Sequence, residues 1–200
     1  MFRSISKKIK KKALTDRNFE YLFDNYDGDE FVCFDCETTG LNPKIDDIIS
    51  IGAVKINKNK ILTSQKFERL AKPVKKQLDG ESIKIHRIRS CDLENAEEIQ
   101  KVIYDFLDFV GNRPLVGYFL EFDVAMINKY TKNFIGINLP NKQIEVSALY
   151  YDKKIGAIPQ GNVDLRFDTI MRELNLPLMG KHDALNDAIM TSMIFIKLTN

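Results

Sequence analysis

Four acids and one histidine in this chain sit where such residues need a reason. Asp35 and Glu37 fall inside FVCFDCETTGL, residues 31–41. That stretch has strand character from Phe31, Val32, Phe34 and the two threonines. Two residues apart on a strand, both carboxylates leave the same face. Same-face acids repel unless something positive joins them, and a buried carboxylate is costly unless paired, hydrogen-bonded or bound to metal. Asp123 opens a helical stretch beside Phe122, and Asp187 lies in the final helical stretch between Ala184 and Ala188. Those small residues allow close approach to a sheet. His182 stands five residues before Asp187. Hydrolysis of a phosphodiester by two divalent ions about 4 Å apart needs such a set. Mg2+ and Mn2+ take hard oxygen ligands. Three or four carboxylates can hold both ions while leaving positions open for phosphate. A nearby histidine can accept the proton of the attacking water. Plainer uses exist for Asp123 as a helix cap, for Asp187 in an exposed helix pair and for His182 at a helix start. Asp35 and Glu37 are harder to explain away.

Cys33 and Cys36 flank Asp35 in a C-x-x-C. A structural zinc site needs four ligands, and Cys91, His86 and His182 are isolated in the sequence. The odd spacing sends the two thiols to opposite faces of a strand, and the acid between them disfavours a redox thiolate. Both cysteines are expected to be small core residues. Three cysteines in all point to a reduced, cytoplasmic protein. No apolar run is long enough to span a membrane, and the basic N-terminus has no apolar stretch of the secretory type behind it.

The net charge of +2 is unevenly spread. Residues 55–89 carry eleven Lys/Arg against three Asp/Glu, a net of +8, while residues 90–200 carry eleven against fifteen, a net of −4. Six basic residues also fall within Arg3–Lys12. This asymmetry suits a polyanionic partner, although solvated lysines alone would also produce it.

The elements that must position the acids follow from periodicity. Residues 1–27 read as a basic N-terminal extension, helical or partly disordered, ahead of one domain over 28–200. Three strands, 31–37, 47–56 and 60–70, are joined by short turns and predict an antiparallel meander. Helices are expected at 82–86, at 95–110 on the spacing of Ile99, Val102, Ile103, Phe106, Leu107 and Val110, at 122–130, from 147, at 165–174 and at 184–198. Short strands at 114–118 and 143–146 complete an α/β fold: a mixed five-stranded sheet with helices on both faces.

FDCETTGL (34–41), VGYFLEFDVAMIN (116–128) and HDALNDA (182–188) carry D-x-E-T-T-G, F-D and H-x-A-x-x-D-A in that order. Together they resemble the motifs of the DEDDh 3′–5′ exonucleases, the DnaQ-like family that includes the proofreading subunit of bacterial DNA polymerase III. IISIGAVKI (48–56) and SIKIHRI (82–88) are similar to family segments as well. The resemblance spans about residues 30–198 and implies an RNase H-like fold and two divalent ions, Mg2+ or Mn2+. Carried over by position, it implies that Asp35 bridges both ions, that Glu37 and Asp187 bind the ion on the nucleophile side, and that Asp123 holds the second. His182 becomes the general base. Thr38, Thr39, Gly40 and Leu41 contact the terminal nucleotide, with Leu41 as a wedge, and Phe122 packs near the site.

Departures from the pattern are Tyr118-Phe119 where many relatives have His-Asn, and His86-Arg87 where His-Gly is usual. Lys72, Lys75, Lys76, Lys84, Arg87 and Arg89 are candidates for contacts to backbone phosphates. The implied function is a proofreading or repair exonuclease acting on single-stranded or frayed DNA 3′ ends, with a DNA polymerase as a possible partner. Trimming of RNA 3′ ends is the alternative substrate, and a catalytically silent nucleic-acid or polymerase-binding module is the alternative class. The short tail after the last helix, where the replicative proofreading subunit carries its polymerase tether, is expected to favour a stand-alone nuclease.

Overall fold

The structure is a computed structural model that describes residues 10–74, 80–157 and 162–200. β1 (Glu30–Thr38), β2 (Ile48–Asn57) and β3 (Lys60–Lys72) form the antiparallel meander read from the sequence. β4 is the two-residue strand Glu97–Glu98, parallel to the end of β3. β5 (Leu115–Gly117) runs parallel to β1, and β6 (Gln143–Glu145) runs parallel to β5. The sheet order is β4-β3-β2-β1-β5-β6. Among the described residues the sheet therefore has six strands rather than the five expected. The extra one is Glu97–Glu98, whose acids carry no strand preference and which pairs only because its backbone meets Ala71 and Lys72.

Helices α1 (Gly80–His86), α2 (Ile99–Val110), α3 (Leu120–Ile135), α4 (Val146–Ala157), α5 (Phe167–Glu173) and α6 (Ala184–Thr199) cover both faces. The alternation along β1 sorts them. Val32, Phe34 and Cys36 enter one cluster with Ile103, Phe106 and Leu107 of α2 and Val124 and Ile127 of α3. Cys33 enters the other, with Tyr150 of α4, Ile170 of α5 and Met190 and Ile194 of α6. The two cysteines are free, buried and on opposite faces, as their spacing requires. No described helix is long and apolar enough to cross a membrane.

Residues 1–9 lie outside the described residues. The rest of the N-terminal stretch does not stand apart from the domain. Leu14, Phe19, Leu22 and Phe23 are buried in the same cluster as Phe34, and Thr15 N–H donates to Ile135 C=O at 3.0 Å. The segment Arg17–Phe23 is a 3-10 helix, so its apolar residues do not follow the period of an α-helix.

α6 packs directly on the meander, and one glycine permits this. Gly52 of β2 lies opposite Asp35 of β1, and a Cβ on it would overlap the backbone of Ala184 and Leu185 at the start of α6. The small residues at the helix start serve the same approach. Gly52→Ala is expected to destabilise the fold by about 3 kcal/mol or more, because backbone rather than a flexible side chain has to move. Urea denaturation measures this. A loss below about 1 kcal/mol would mean that α6 is not seated as described.

Candidate active site

The site lies at the carboxyl end of β1, where the chain turns towards β2 on one side and the parallel neighbour β5 stops on the other. Crevices of this kind, where the strand order reverses, are the usual ligand positions of open α/β sheets. The register of β1 on β2 shifts between Glu37 and Thr38, a bulge that ends regular pairing at the last acid. Asp35 and Glu37 share the face of β1 that looks towards α6. α6 contributes Asp187 from its first turn. Ligand oxygens of Asp35, Glu37 and Asp187 lie within 4.8 Å of one another. Among the described residues, no salt bridge reaches any of the three.

The fourth acid comes from the opposite side. Asp123, 4% exposed, lies in the first turn of α3 and takes hydrogen bonds from the backbone N–H and the thiol of Cys36. It stands outside the three-carboxylate group yet interacts electrostatically with Asp35 and Glu37.

This crowding leaves its mark on proton affinity. Burial first, then the charges of Asp123, Glu37, Asp187 and Asp183, push the Asp35 carboxyl well above the usual carboxylate range. Burial and the charges of Asp187 and Asp183 push Glu37 up to about 7. Asp123 is raised by burial, although Cys36 N–H opposes the shift. Asp187 is raised by burial, against the hydrogen bond from the His182 N–H. Carboxylates crowded in this way ionise at a cost that a divalent cation would offset. The donor set is all carboxylate oxygen, which fits Mg2+ or Mn2+ and not the softer metals that thiols select. Cys33 and Cys36 have thiols raised by burial and are not presented to the cluster as thiolates.

His182 is exposed and has a left-handed backbone, φ 59°, immediately before α6. Its N–H donates to Asp187 Oδ2 at 3.1 Å. It lines two small cavities. One, of about 250 Å³, also has Asp35, Tyr118, Phe167, Lys181 and Asp187 in its wall. The other, of about 220 Å³, includes Glu37, Ser50 and His86. His86 is 5% exposed, and its Nδ1 accepts from Ile88 N–H at 3.0 Å while Nε2 has no hydrogen-bond partner among the described residues.

The loop after β1 carries the remaining sequence candidates. Thr38 Oγ1 donates to Gly40 C=O at 2.7 Å, and Thr39 N–H donates to Asp47 C=O at 2.9 Å. Asp47 ties this loop to α3, because Lys129 Nζ and the Tyr130 hydroxyl both meet Asp47 Oδ1 at 3.0 Å. Leu41 projects from the held loop, 86% exposed. Phe122 is half-buried against the core. Glu121 is exposed in the first turn of α3. Of the basic candidates, Lys75 and Lys76 fall outside the described residues. Lys72 pairs with Glu98 at 3.7 Å and Arg89 with Asp92 at 3.0 Å.

Sequence reasoning passed over two acids. Asp183 caps α6, accepting from Asn186 N–H at 2.9 Å, and adds its charge to Asp35 and Glu37. Glu145 ends β6 and accepts from Leu120 N–H at 2.8 Å, which fixes the start of the helix that carries Asp123. An acid at a helix start could have flagged Asp183. Glu145 is 25 residues from the helix that it caps, so no local signal marks it.

Comparison with known proteins gives a consistent result. Residues 32–195 match the profile of the RNase T family, described as exonucleases. The chain is 31% identical over 181 residues to the DNA polymerase III PolC-type protein of Thermotoga petrophila, a match that covers 90% of this chain and 12% of that protein. It is 31% identical over 176 residues to DNA polymerase III subunit epsilon of Aquifex aeolicus, covering 88% of this chain and 83% of the other. The chain thus spans only a small part of the PolC-type relatives. Among solved structures it is similar to cell-death related nuclease 4, with a TM-score of 0.75 at 17% identity, covering 86% of this chain and 64% of that one. It is also similar to E. coli exonuclease I in complex with a dT13 oligonucleotide, with a TM-score of 0.66 at 16% identity, covering 84% of this chain and 40% of that one. At these identities the likeness is one of fold, and the RNase H-like architecture expected from the motifs is the one found.

Proposed function

The chain belongs to the RNase T family of exonucleases, and from that premise we propose that it removes nucleoside 5′-monophosphates one at a time from the 3′ end of DNA. One observation carries the reading: the oxygens of Asp35, Glu37 and Asp187 within 4.8 Å of one another, with no salt bridge from any described residue, beside His182 and opposite Asp123. Acids repelling one another at the end of a core strand make sense as a site for cations and the phosphate that those cations attract. DNA is favoured over RNA because the similar chains include a DNA polymerase III PolC-type protein and a DNA polymerase III subunit epsilon. The same names make a polymerase the leading candidate for a protein partner.

In this reading Asp35 would serve as a ligand to both of two divalent ions, Mg2+ or Mn2+. Glu37 and Asp187 would hold one of them and Asp123 the other. Bound there, the ions would supply an activated water and neutralise charge on the phosphate. An imidazole nitrogen of His182 accepts the proton of the attacking water, and the ring's exposure lets it pass that proton to solvent. Thr38, Thr39, Gly40 and the projecting Leu41 hold the terminal nucleotide on a loop that Asp47 fixes to α3. Phe122 supports the turn of α3 beneath Asp123.

The test uses a DNA strand labelled in its 3′-terminal nucleotide. With Mg2+ or Mn2+ all early label is expected as the 5′-monophosphate, and EDTA is expected to stop its release. Label released first in longer fragments would contradict a 3′-end exonuclease. A matched RNA strand cleaved faster than DNA would overturn the choice of substrate.

A further inference from the structure

The turn from β5 to α3 holds a bulky residue in a conformation that costs energy. Phe119, the residue before α3, has φ 53° and ψ 33°, the left-handed region that suits Gly and Asn and not a large aromatic side chain. Its ring gains little from the fold in return, being 69% exposed. Strained backbone at the edge of a reactive cleft is usually retained for what the residue does there.

The surroundings fix where that ring stands. Gly117 allows the tight turn, since a Cβ there would meet Leu120 Cδ1 at 2.7 Å. Glu145 Oε2 takes the Leu120 N–H at 2.8 Å, and Phe122 N–H donates to Phe119 C=O at 2.9 Å. The neighbouring Tyr118 is held on two sides: its hydroxyl donates to Leu165 C=O at 2.9 Å, and its ring meets Phe167 with centroids 5.0 Å apart. Phe119 stands edge-on to Tyr118, centroids 4.9 Å apart and planes at 90°. Tyr118 is itself a wall of the cavity that contains Asp35, His182 and Asp187. The result is an exposed aromatic ring that rests edge-on against Tyr118, a wall of the cavity that contains Asp35, His182 and Asp187.

We propose that Phe119 is a specificity-determining residue on which a substrate base stacks, namely the base on the 5′ side of the bond being cut. The inference rests on the exonuclease reading above and adds a second contact point to it. The Leu41 loop takes the terminal nucleotide, and the Phe119 rim takes the next one. Base–aromatic stacking needs no hydrogen-bond readout and accepts any base, as a strand-shortening enzyme requires. The strain at Phe119 is then offset only when a strand is bound.

The experiment compares wild type with Phe119→Asn, which tolerates the left-handed turn but removes the ring, and Phe119→Trp, which keeps an aromatic face. Affinity is read by fluorescence anisotropy of a labelled dT oligonucleotide with Ca2+, and kinetics on the same strand with Mg2+. A second strand is abasic at the penultimate position. The p-nitrophenyl ester of thymidine 5′-monophosphate has no penultimate base at all. Phe119→Asn is expected to weaken binding and raise KM for the oligonucleotide on the order of tenfold, with kcat and ester hydrolysis unchanged. Its melting temperature should equal or exceed that of wild type, and Phe119→Trp should restore affinity. The abasic site should cost wild type as much as the substitution does and cost Phe119→Asn nothing further. Independent, multiplying losses would overturn the proposal, as would an equal fall in ester hydrolysis or an unchanged affinity. If wild type binds the strand but cleaves neither substrate, the exonuclease reading fails while the affinity comparison still decides the stacking. If wild type does not bind the strand, both fail.

Discussion

Replacing Asp35 by Asn is expected to abolish cleavage and, without metal, to make the protein more stable. Asp35 is crowded by burial and by Asp123, Glu37, Asp187 and Asp183. Asn keeps the volume and removes the charge, so the repulsion goes and the packing against Gly52 stays. A gain of about 1–3 kcal/mol in EDTA follows from relief of like charges in a partly buried cluster, or about 2–4 °C in melting temperature for each kcal/mol. Activity should fall by about a thousandfold or more, since the shared carboxylate is the one the proposed chemistry cannot replace. With Mn2+ the order of stabilities should invert, because only wild type gains fully from ligand binding. Melting curves in EDTA and in Mn2+, beside a cleavage assay, read all three effects. A large fall in melting temperature without metal would show that Asp35 supports the fold in its own right.

Stability of the metal-free protein should fall as pH rises from 5 to 8. Glu37 is pushed up to about 7 from an ordinary value of 4.5. Between those values the folded state binds a proton that the unfolded chain does not, so the slope of unfolding free energy with pH is negative. The favourable contribution is present below pH 4.5 and lost as pH passes 7. For Glu37 alone it amounts to about 3 kcal/mol. Asp35, Asp123 and Asp187 are raised as well and act with the same sign. His86 acts against them: burial and then His182 lower its proton affinity, so it favours the fold more as pH rises to about 6.5. The clean comparison is therefore wild type against Glu37→Gln in EDTA, by urea denaturation at half-unit intervals. The difference between the two should widen to about 3 kcal/mol in favour of the variant by pH 8. A constant difference would mean that Glu37 is not held at high proton affinity. Saturating Mg2+ or Mn2+ should flatten the wild-type profile, because the ions bind the deprotonated form.

The parts of this protein readable from its letters are those in which one period dominates. Alternation along β1 placed Asp35 and Glu37 on a single face and sent Cys33 and Cys36 to opposite clusters. The 3.6-residue period of α2 marked its buried side correctly in Val102, Ile103, Phe106, Leu107 and Val110. What escaped reading depends on contacts distant in sequence. Glu97–Glu98 is a strand only through Ala71 and Lys72. Phe19, Leu22 and Phe23 enter the core from a 3-10 helix, which shows no amphipathic α-period. α4 runs on to Ala157 through the polar residues Asp152, Lys153 and Lys154, whose sequence sets no helix end, and Lys154 pairs there with Glu173 of α5. The strain at Phe119 is likewise a property of the β5–α3 turn and leaves no trace in composition. In the site itself, the alternation along β1 gave Asp35 and Glu37 a common face, whereas the distances to the acids on α3 and α6 depend on how those helices pack. Three gather within 4.8 Å, and Asp123 faces them from Cys36.

The most direct test of the central claim, that this acid cluster with His182 is a metal-dependent centre for removing 3′ nucleotides, is a time course on 5′-labelled single-stranded DNA. It would be run with Mg2+, Mn2+ or EDTA, for wild type and His182→Ala. The expected result is a ladder that shortens from the 3′ end in either metal, disappears in EDTA and slows by at least about a hundredfold in the variant. A ladder that persists in EDTA, or that His182→Ala leaves at the wild-type rate, would contradict it.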